Sequence, residues 1–182
     1  MSGKTVYILL FRGVGGATQL PTAALRAALT EAGFENVATY INSGNAVVRS
    51  RLPRDKVIAK VAKIAKDKFG FTKAIHAPTL DEWSELIARN PFPNAVSVPK
   101  FLHAAVLEGA PEKNNIEAIR AYAKAGEEFS VVGKVAYIHT PGGFGISKMA
   151  ERFDKLIGVG NTARNWNSVL KLEELAKKAA TG

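Results

Sequence analysis

Thr5–Gly16 reads TVYILLFRGVGG. Successive side chains of a strand point to opposite faces. In this stretch Val6, Ile8 and Leu10 share one face, while Tyr7, Leu9 and Phe11 share the other. Both faces are apolar, so both should be covered, which is the pattern of a central strand. A short buried helix is the competing reading. The β-branched and aromatic content and the glycine stop favour a strand, Val6–Phe11. Arg12 ends the apolar run, and Gly13, Gly15 and Gly16 allow a tight turn with exposed backbone amides. The next helix should open near Leu20-Pro21.

Working outward, Leu20–Gly33 reads as a helix with Leu25, Ala28, Leu29 and Ala32 inward. Val37–Asn42 and Ala46–Ser50 read as strands joined by the turn Ser43-Gly44-Asn45. Pro53–Phe69 is a helix with Val57, Ile58, Val61, Ile64, Ala65 and Phe69 inward. Lys56, Lys60, Lys63 and Lys66 form its outward stripe, which reads first as a solvated face. A short strand, Thr72–Ala77, and a helix, Leu80–Arg89, follow. Asn90–Lys100 carries three prolines and reads as a connection.

The order then repeats. Phe101–Glu108 is a strand, Pro111–Ala125 a helix, and Glu128–Val132 with Val135–Thr140 a hairpin across Gly133-Lys134. The glycine-rich loop Pro141–Gly145 leads to the helix Ser147–Ile157, and a last helix opens near Ser168. The expected fold is therefore mixed α/β (α+β), a tandem pair of ferredoxin-like βαββαβ units with an added C-terminal helix. The second unit's final strand has no pattern of its own in this reading, which passes from Ile157 to the last helix. The expected boundaries are residues 1–90, a connection at 91–100, and 101–182. In such a unit the first strand ends at the same sheet edge as the hairpin joining the second and third. Arg12–Gly16 should therefore lie beside Ser43-Gly44-Asn45.

Composition bounds the chemistry. The 182 residues are 47% hydrophobic and carry a net charge of +9, an excess that suits an anionic partner, including nucleic acid. With no cysteine, disulfides, thiolate metal sites and a cysteine nucleophile are excluded. His76, His103 and His139 are far apart and fall in strands, so no metal or thiol-based cofactor is implied and any other cofactor stays undefined. No stretch approaches the ~18 apolar residues of a membrane span and no signal peptide is read, so a cytoplasmic protein without membrane contact is expected. Its oligomeric state is left open.

Three stretches are candidate ligand sites. The first is Arg12, Gly13, Gly15 and Gly16 with Ser43, Gly44 and Asn45, since glycine amides, a guanidinium and a serine–asparagine pair hold phosphate or carboxylate. Its bland alternative is that the glycines shape turns and Arg12 pairs with a carboxylate. The second is Ser147 and Lys148, at a helix start after Gly142, Gly143 and Gly145; the alternative is a loop with a serine cap. The third is Arg164, Asn165 and Trp166, suited to stacking and hydrogen-bonding a base or to locking a terminal helix. Neither a dinucleotide fingerprint nor a Walker loop fits these glycines, and no catalytic triad is recognisable, so catalytic residues are not assigned.

The segments Tyr7–Gly16, Leu25–Asn45, Arg89–Phe92, Tyr137–Lys148 and Thr162–Leu172 together resemble domain of unknown function 1697. The resemblance runs nearly end to end. It implies the tandem ferredoxin-like architecture and no established activity. The family loop after the first strand usually reads Arg-Gly-Ile-Asn-Val-Gly-Gly; here Arg12-Gly13-Val14-Gly15-Gly16 is two residues shorter and lacks the asparagine. Three functional readings stay open: binding of a phosphate-bearing ligand or nucleic acid at the Arg12/Ser43 edge, an enzyme acting on a small anionic metabolite, and a non-catalytic protein-interaction module.

Overall fold

The computed structural model describes residues 3–182. Strand β1 (Thr5–Phe11) is followed by α1 (Thr22–Glu31), β2 (Glu35–Thr39), β3 (Asn45–Ser50), α2 (Arg54–Phe69), β4 (Ile75–His76) and α3 (Leu80–Ala88). Two 3-10 turns, Pro93–Ser97 and Pro99–Phe101, use the prolines of the connection at their first positions. Then come β5 (Leu102–Leu107), α4 (Lys113–Arg120), β6 (Glu128–Val132), β7 (Val135–His139), a 3-10 turn at Phe144–Ile146, α5 (Lys148–Leu156), β8 (Asn161–Asn165) and α6 (Trp166–Thr181).

The strands form two four-stranded antiparallel sheets, ordered β2-β3-β1-β4 and β6-β7-β5-β8. Each is the order of a ferredoxin-like unit, so the tandem architecture read from the element pattern is present. The chain divides into two compact units, Met1–Glu85 with Lys171–Gly182, and Leu86–Leu170. The division falls within α3 and α6.

In the first unit β1 is central, and Val6–Phe11 are all buried. Tyr7, Leu9 and Phe11 pack with Leu25 and Leu29 of α1 and with Val57, Val61 and Ala65 of α2. Helix α2 is held at both ends by local chemistry. Pro53 precedes it, Asp55 lies in its first turn, and Lys66 and Lys68 lie in its last, in accord with the helix dipole. Gly70 stops it with φ +66°, its amide donating to the Lys66 carbonyl and that of Phe71 to the Ala65 carbonyl. Edge strand β2 carries a bulge between Glu35 and Ala38, with Asn36 at φ +48°, an irregularity that discourages pairing with another chain. Asn36 donates from Nδ2 to the Ala179 carbonyl of α6 at 2.8 Å.

In the second unit Ala105, Leu107, Ala136 and Ile138 pack with Ile119 of α4 and Met149 and Phe153 of α5. The hairpin across Gly133-Lys134 forms with Val132 opposite Val135. Strand β8, Asn161-Thr-Ala-Arg-Asn165, pairs along the whole of His103–Leu107 and completes this unit. It is missing from the sequence reading because it has a single apolar residue and no alternation; partner geometry, not local pattern, makes it a strand. Other elements are shorter than expected, β4 and α4 most of all, and β2 lies at Glu35–Thr39, ending before Tyr40–Asn42. Strand β4 pairs only with Leu10 and Phe11, and α4 ends at Arg120 in a run of tighter turns that reaches Gly126 at φ +87°.

Candidate functional site

The β1–α1 loop and the β2–β3 turn meet, as the topology requires. Leu10 is opposite Asn45, and the Phe11 amide donates to the Gly44 carbonyl at 2.9 Å. A side chain at Gly44 would strike Phe11 and Val14, and its φ of +78° suits glycine. Asn45 is 1% exposed; its Nδ2 donates to the Tyr40 carbonyl at 3.2 Å and to Ser43 Oγ at 3.0 Å. Gly44 and Asn45 thus build the turn. Ser43, Gly15 and Gly16 stay exposed, and Arg12 is half-buried.

Within the loop, Gly15 and Thr18 exchange both backbone bonds, at 2.7 and 3.0 Å, and Gln19 Nε2 donates to the Gly16 carbonyl at 2.6 Å. The Arg12 amide donates to the Ala74 carbonyl at 3.0 Å. These bonds use the Gly15, Gly16 and Thr18 carbonyls and the Arg12, Gly15 and Thr18 amides. Among the described residues none accepts from the amides of Gly13, Val14, Gly16 or Ala17. Beside the turn, Ile41 is 48% exposed at φ +45°, a conformation costly for a β-branched residue. Asn42 Oδ1 accepts from the Thr22 amide at 3.4 Å, which ties the turn to the start of α1.

One participant has no sequence signature. Lys73, in the segment between Gly70 and β4, donates from Nζ to the Gly13 carbonyl at 3.1 Å and lies against Gly13 with its stem. The same lysine lines a cleft of about 470 Å³ with Ala62, Lys63, Lys66, Asp67, Phe71 and Thr72. The glycine loop and the outward lysines of α2 are therefore one continuous surface, joined at Lys73. In the cleft Lys63 and Asp67 are 2.6 Å apart, and the hydrogen bond from Lys63 lowers the Asp67 pKa. Asp67 is thus held ionised and is poorly placed to act as an acid. Among the described residues no group of three His, Asp or Glu side chains could hold a metal ion.

The second and third candidates lie at one end of the second sheet, where His139 faces Leu102 and Asn165 faces His103. Ser147 is buried and its Oγ accepts from the Ala150 amide at 3.1 Å: it caps α5. Lys148 pairs with Glu151 at 2.9 Å. Asn165 donates to the Lys100 carbonyl at 3.1 Å and accepts from the Asn167 amide at 2.9 Å, opening α6. Trp166 is buried. Arg164 bonds Thr162 Oγ1 at 2.7 Å and the Ala163 carbonyl at 2.8 Å, and burial lowers its pKa to about 10. At the same end the His103 ring stacks on Phe144, centroids 4.0 Å apart, and burial lowers its pKa to about 4. These partners give Ser147, Asn165 and Trp166 structural roles, while Lys148 stays exposed in its ion pair.

The sequence profile described as "Protein of unknown function (DUF1697)" matches residues 4–137. No curated protein matches the chain. Among solved structures the chain is similar to the conserved bacterial protein SP0830 from Streptococcus pneumoniae, with 19% identity and a TM-score of 0.74, over 96% of this chain and 99% of that one. At that identity the similarity shows the fold. Protein BT0572 from Bacteroides thetaiotaomicron aligns over 96% of both chains at 13% identity, with a TM-score of 0.21. No helix among the described residues is long and apolar enough to cross a membrane.

Proposed function

We propose, from the premise that this chain belongs to the DUF1697 family of proteins of unknown function, that it binds a phosphate-bearing ligand on its first unit. The place is the surface formed by the Gly13–Ala17 loop, Ser43 and the Lys63/Lys66/Lys73 cleft. The observation that carries this reading is the Lys73–Gly13 contact. It sets an ammonium group beside a loop in which, among the described residues, the amides of Gly13, Val14, Gly16 and Ala17 have no protein acceptor, and opens that loop onto two further lysines. Backbone amides in glycine turns and lysine point charges are complementary to phosphate oxygens. The strained Ile41 at the rim supports the same place, because backbone strain clusters at functional sites. A base-stacking sheet face, the usual mode of ferredoxin-like RNA binders, has no support here: Val6–Phe11 and Asn45–Val48 are buried.

Calorimetric titration with inorganic pyrophosphate at low salt tests the reading. The wild-type chain is expected to bind, and Lys73→Met, which keeps the apolar stem, is expected to bind at least tenfold more weakly with an unchanged melting temperature. An absence of heat for the wild type, or equal affinity in the variant, would remove the proposal.

A further inference from the structure

We infer that the occupant of this surface is the phosphate backbone of a nucleic-acid duplex laid along α2, bound without regard to base sequence. This inference rests on the phosphate-binding reading above and names its ligand. Lys56, Lys60, Lys63 and Lys66 are exposed on one side of α2, with Lys63 paired to Asp67, so that Lys56, Lys60 and Lys66 carry the charge of the stripe. At 1.5 Å rise per residue they span about 15 Å. Gly70 then reverses the chain, so that Lys73 returns to flank the last turns of the helix and shares the cleft with Lys63 and Lys66. The result is a cationic edge with the glycine loop at one end, longer than a single phosphate group needs. A duplex carries one charge per ~1.7 Å of axis, so a 15 Å edge faces several phosphates at once.

The side chains around the stripe select among anionic partners. Phe34 is buried beneath Lys60, whose Nζ lies 5.2 Å from the ring centroid, and Phe71 is buried as well. With these rings covered, the stripe has no platform for the unstacked bases of a single strand. The exposed large hydrophobic residues, Ile41, Leu52, Val96, Val98, Tyr122, Ile146 and Leu170, all lie outside α2, so the helix has nothing to insert into a lipid surface. Protein interfaces are depleted in lysine and enriched in aromatic groups, the reverse of this face. Lysines along a rigid helix, with no bidentate arginine among the four, read backbone and not bases.

The test is fluorescence anisotropy of a short mixed-sequence duplex with the full chain across a salt series. With Lys56, Lys60, Lys66 and Lys73 each neutralising one phosphate, log affinity should fall against log salt with a slope of about −3.6. The triple variant Lys56→Gln, Lys60→Gln, Lys66→Gln should bind much more weakly, with a slope near −0.9. A control triple, Lys113→Gln, Lys124→Gln, Lys134→Gln, removes the same charge from exposed positions of the second unit and should leave slope and affinity nearly unchanged. The inference is overturned if the control weakens binding as much, if a single strand binds more tightly than the duplex, or if polyglutamate or anionic vesicles compete equally well. Pyrophosphate binding at Lys73 without duplex binding would overturn the inference and leave the phosphate reading standing; failure of both ligands removes both.

Discussion

Phe11 and Gly44 approach so closely that no side chain fits between them: a Cβ on Gly44 would sit 2.7 Å from the Phe11 Cβ, and the Phe11 amide already bonds the Gly44 carbonyl at 2.9 Å. This contact fixes the β2–β3 turn against the glycine loop. Gly44→Ala adds a clash and an unfavourable positive φ together. A loss of about 2–4 kcal/mol is expected, read as a lower urea midpoint; an unchanged midpoint would show that the turn can move away.

Asn45 closes the same turn from inside with two donated hydrogen bonds. Asn45→Ala should cost about 1–3 kcal/mol, because it strands the Tyr40 carbonyl. Asn45→Asp should cost more, since an ionised carboxylate has no hydrogens to donate and is buried. Chemical denaturation of the pair at neutral pH gives the ranking, and an aspartate variant as stable as wild type would contradict it.

Ile41 holds φ +45° with its side chain half in solvent. Asparagine tolerates that backbone region where isoleucine does not. Ile41→Asn should therefore raise stability by about 1 kcal/mol, seen as a higher melting temperature. A fall instead would mean that the isoleucine side chain contributes packing that outweighs its backbone strain.

His103 links stability to acid. Burial lowers its folded pKa from 6.5 to about 4, so the unfolded chain takes up a proton at higher pH than the folded one. The stabilising contribution is complete above pH 6.5 and is lost as pH falls from 6.5 towards 4, by up to about 3 kcal/mol. Among the described residues the ring's Nδ1 has no hydrogen-bond partner, so His103→Phe, which keeps a ring against Phe144, should be no less stable at pH 7. Unfolding curves from pH 7 to pH 4 should be flatter for the variant; parallel curves would rule out the linkage.

Trp166 is 2% exposed. Trp166→Ala should cost about 3–5 kcal/mol, and pyrophosphate affinity of the folded fraction should not change. A stability-neutral variant with lost affinity would return Trp166 to the ligand-binding groups. Ser147→Ala should cost about 1 kcal/mol by removing the α5 cap, and Lys148→Ala close to nothing, since exposed ion pairs contribute little.

The strength of the local signals explains what was legible. Val6–Phe11 has two apolar faces, and a central strand follows from periodicity. The run Val57, Val61, Ala65 marks the buried side of α2 for the same reason, and the glycines after Phe11 and Phe69 mark stops. Asn161–Asn165 carries no such period, and its strand exists only because His103–Leu107 offers an unpaired edge. Thr72–Ala77 has strand-like residues, yet only Ile75 and His76 find partners.

The candidate site divides along the same line. The sequence by itself determined the two-unit architecture and the meeting of Arg12–Gly16 with Ser43–Asn45, because element order in a ferredoxin-like unit fixes which turns share a sheet edge. Tertiary structure alone decided the long-range uses of polar groups. It seats Asn165 on the Lys100 carbonyl, while Asn45 and Ser147 are committed to a turn and a cap by hydrogen bonds within a few residues. It also brought Lys73 onto the Gly13 carbonyl, across sixty positions of chain. Periodicity reports which side chains leave water; the partner of a buried or loop-bound polar group depends on where the backbone returns, and that is a property of the folded chain.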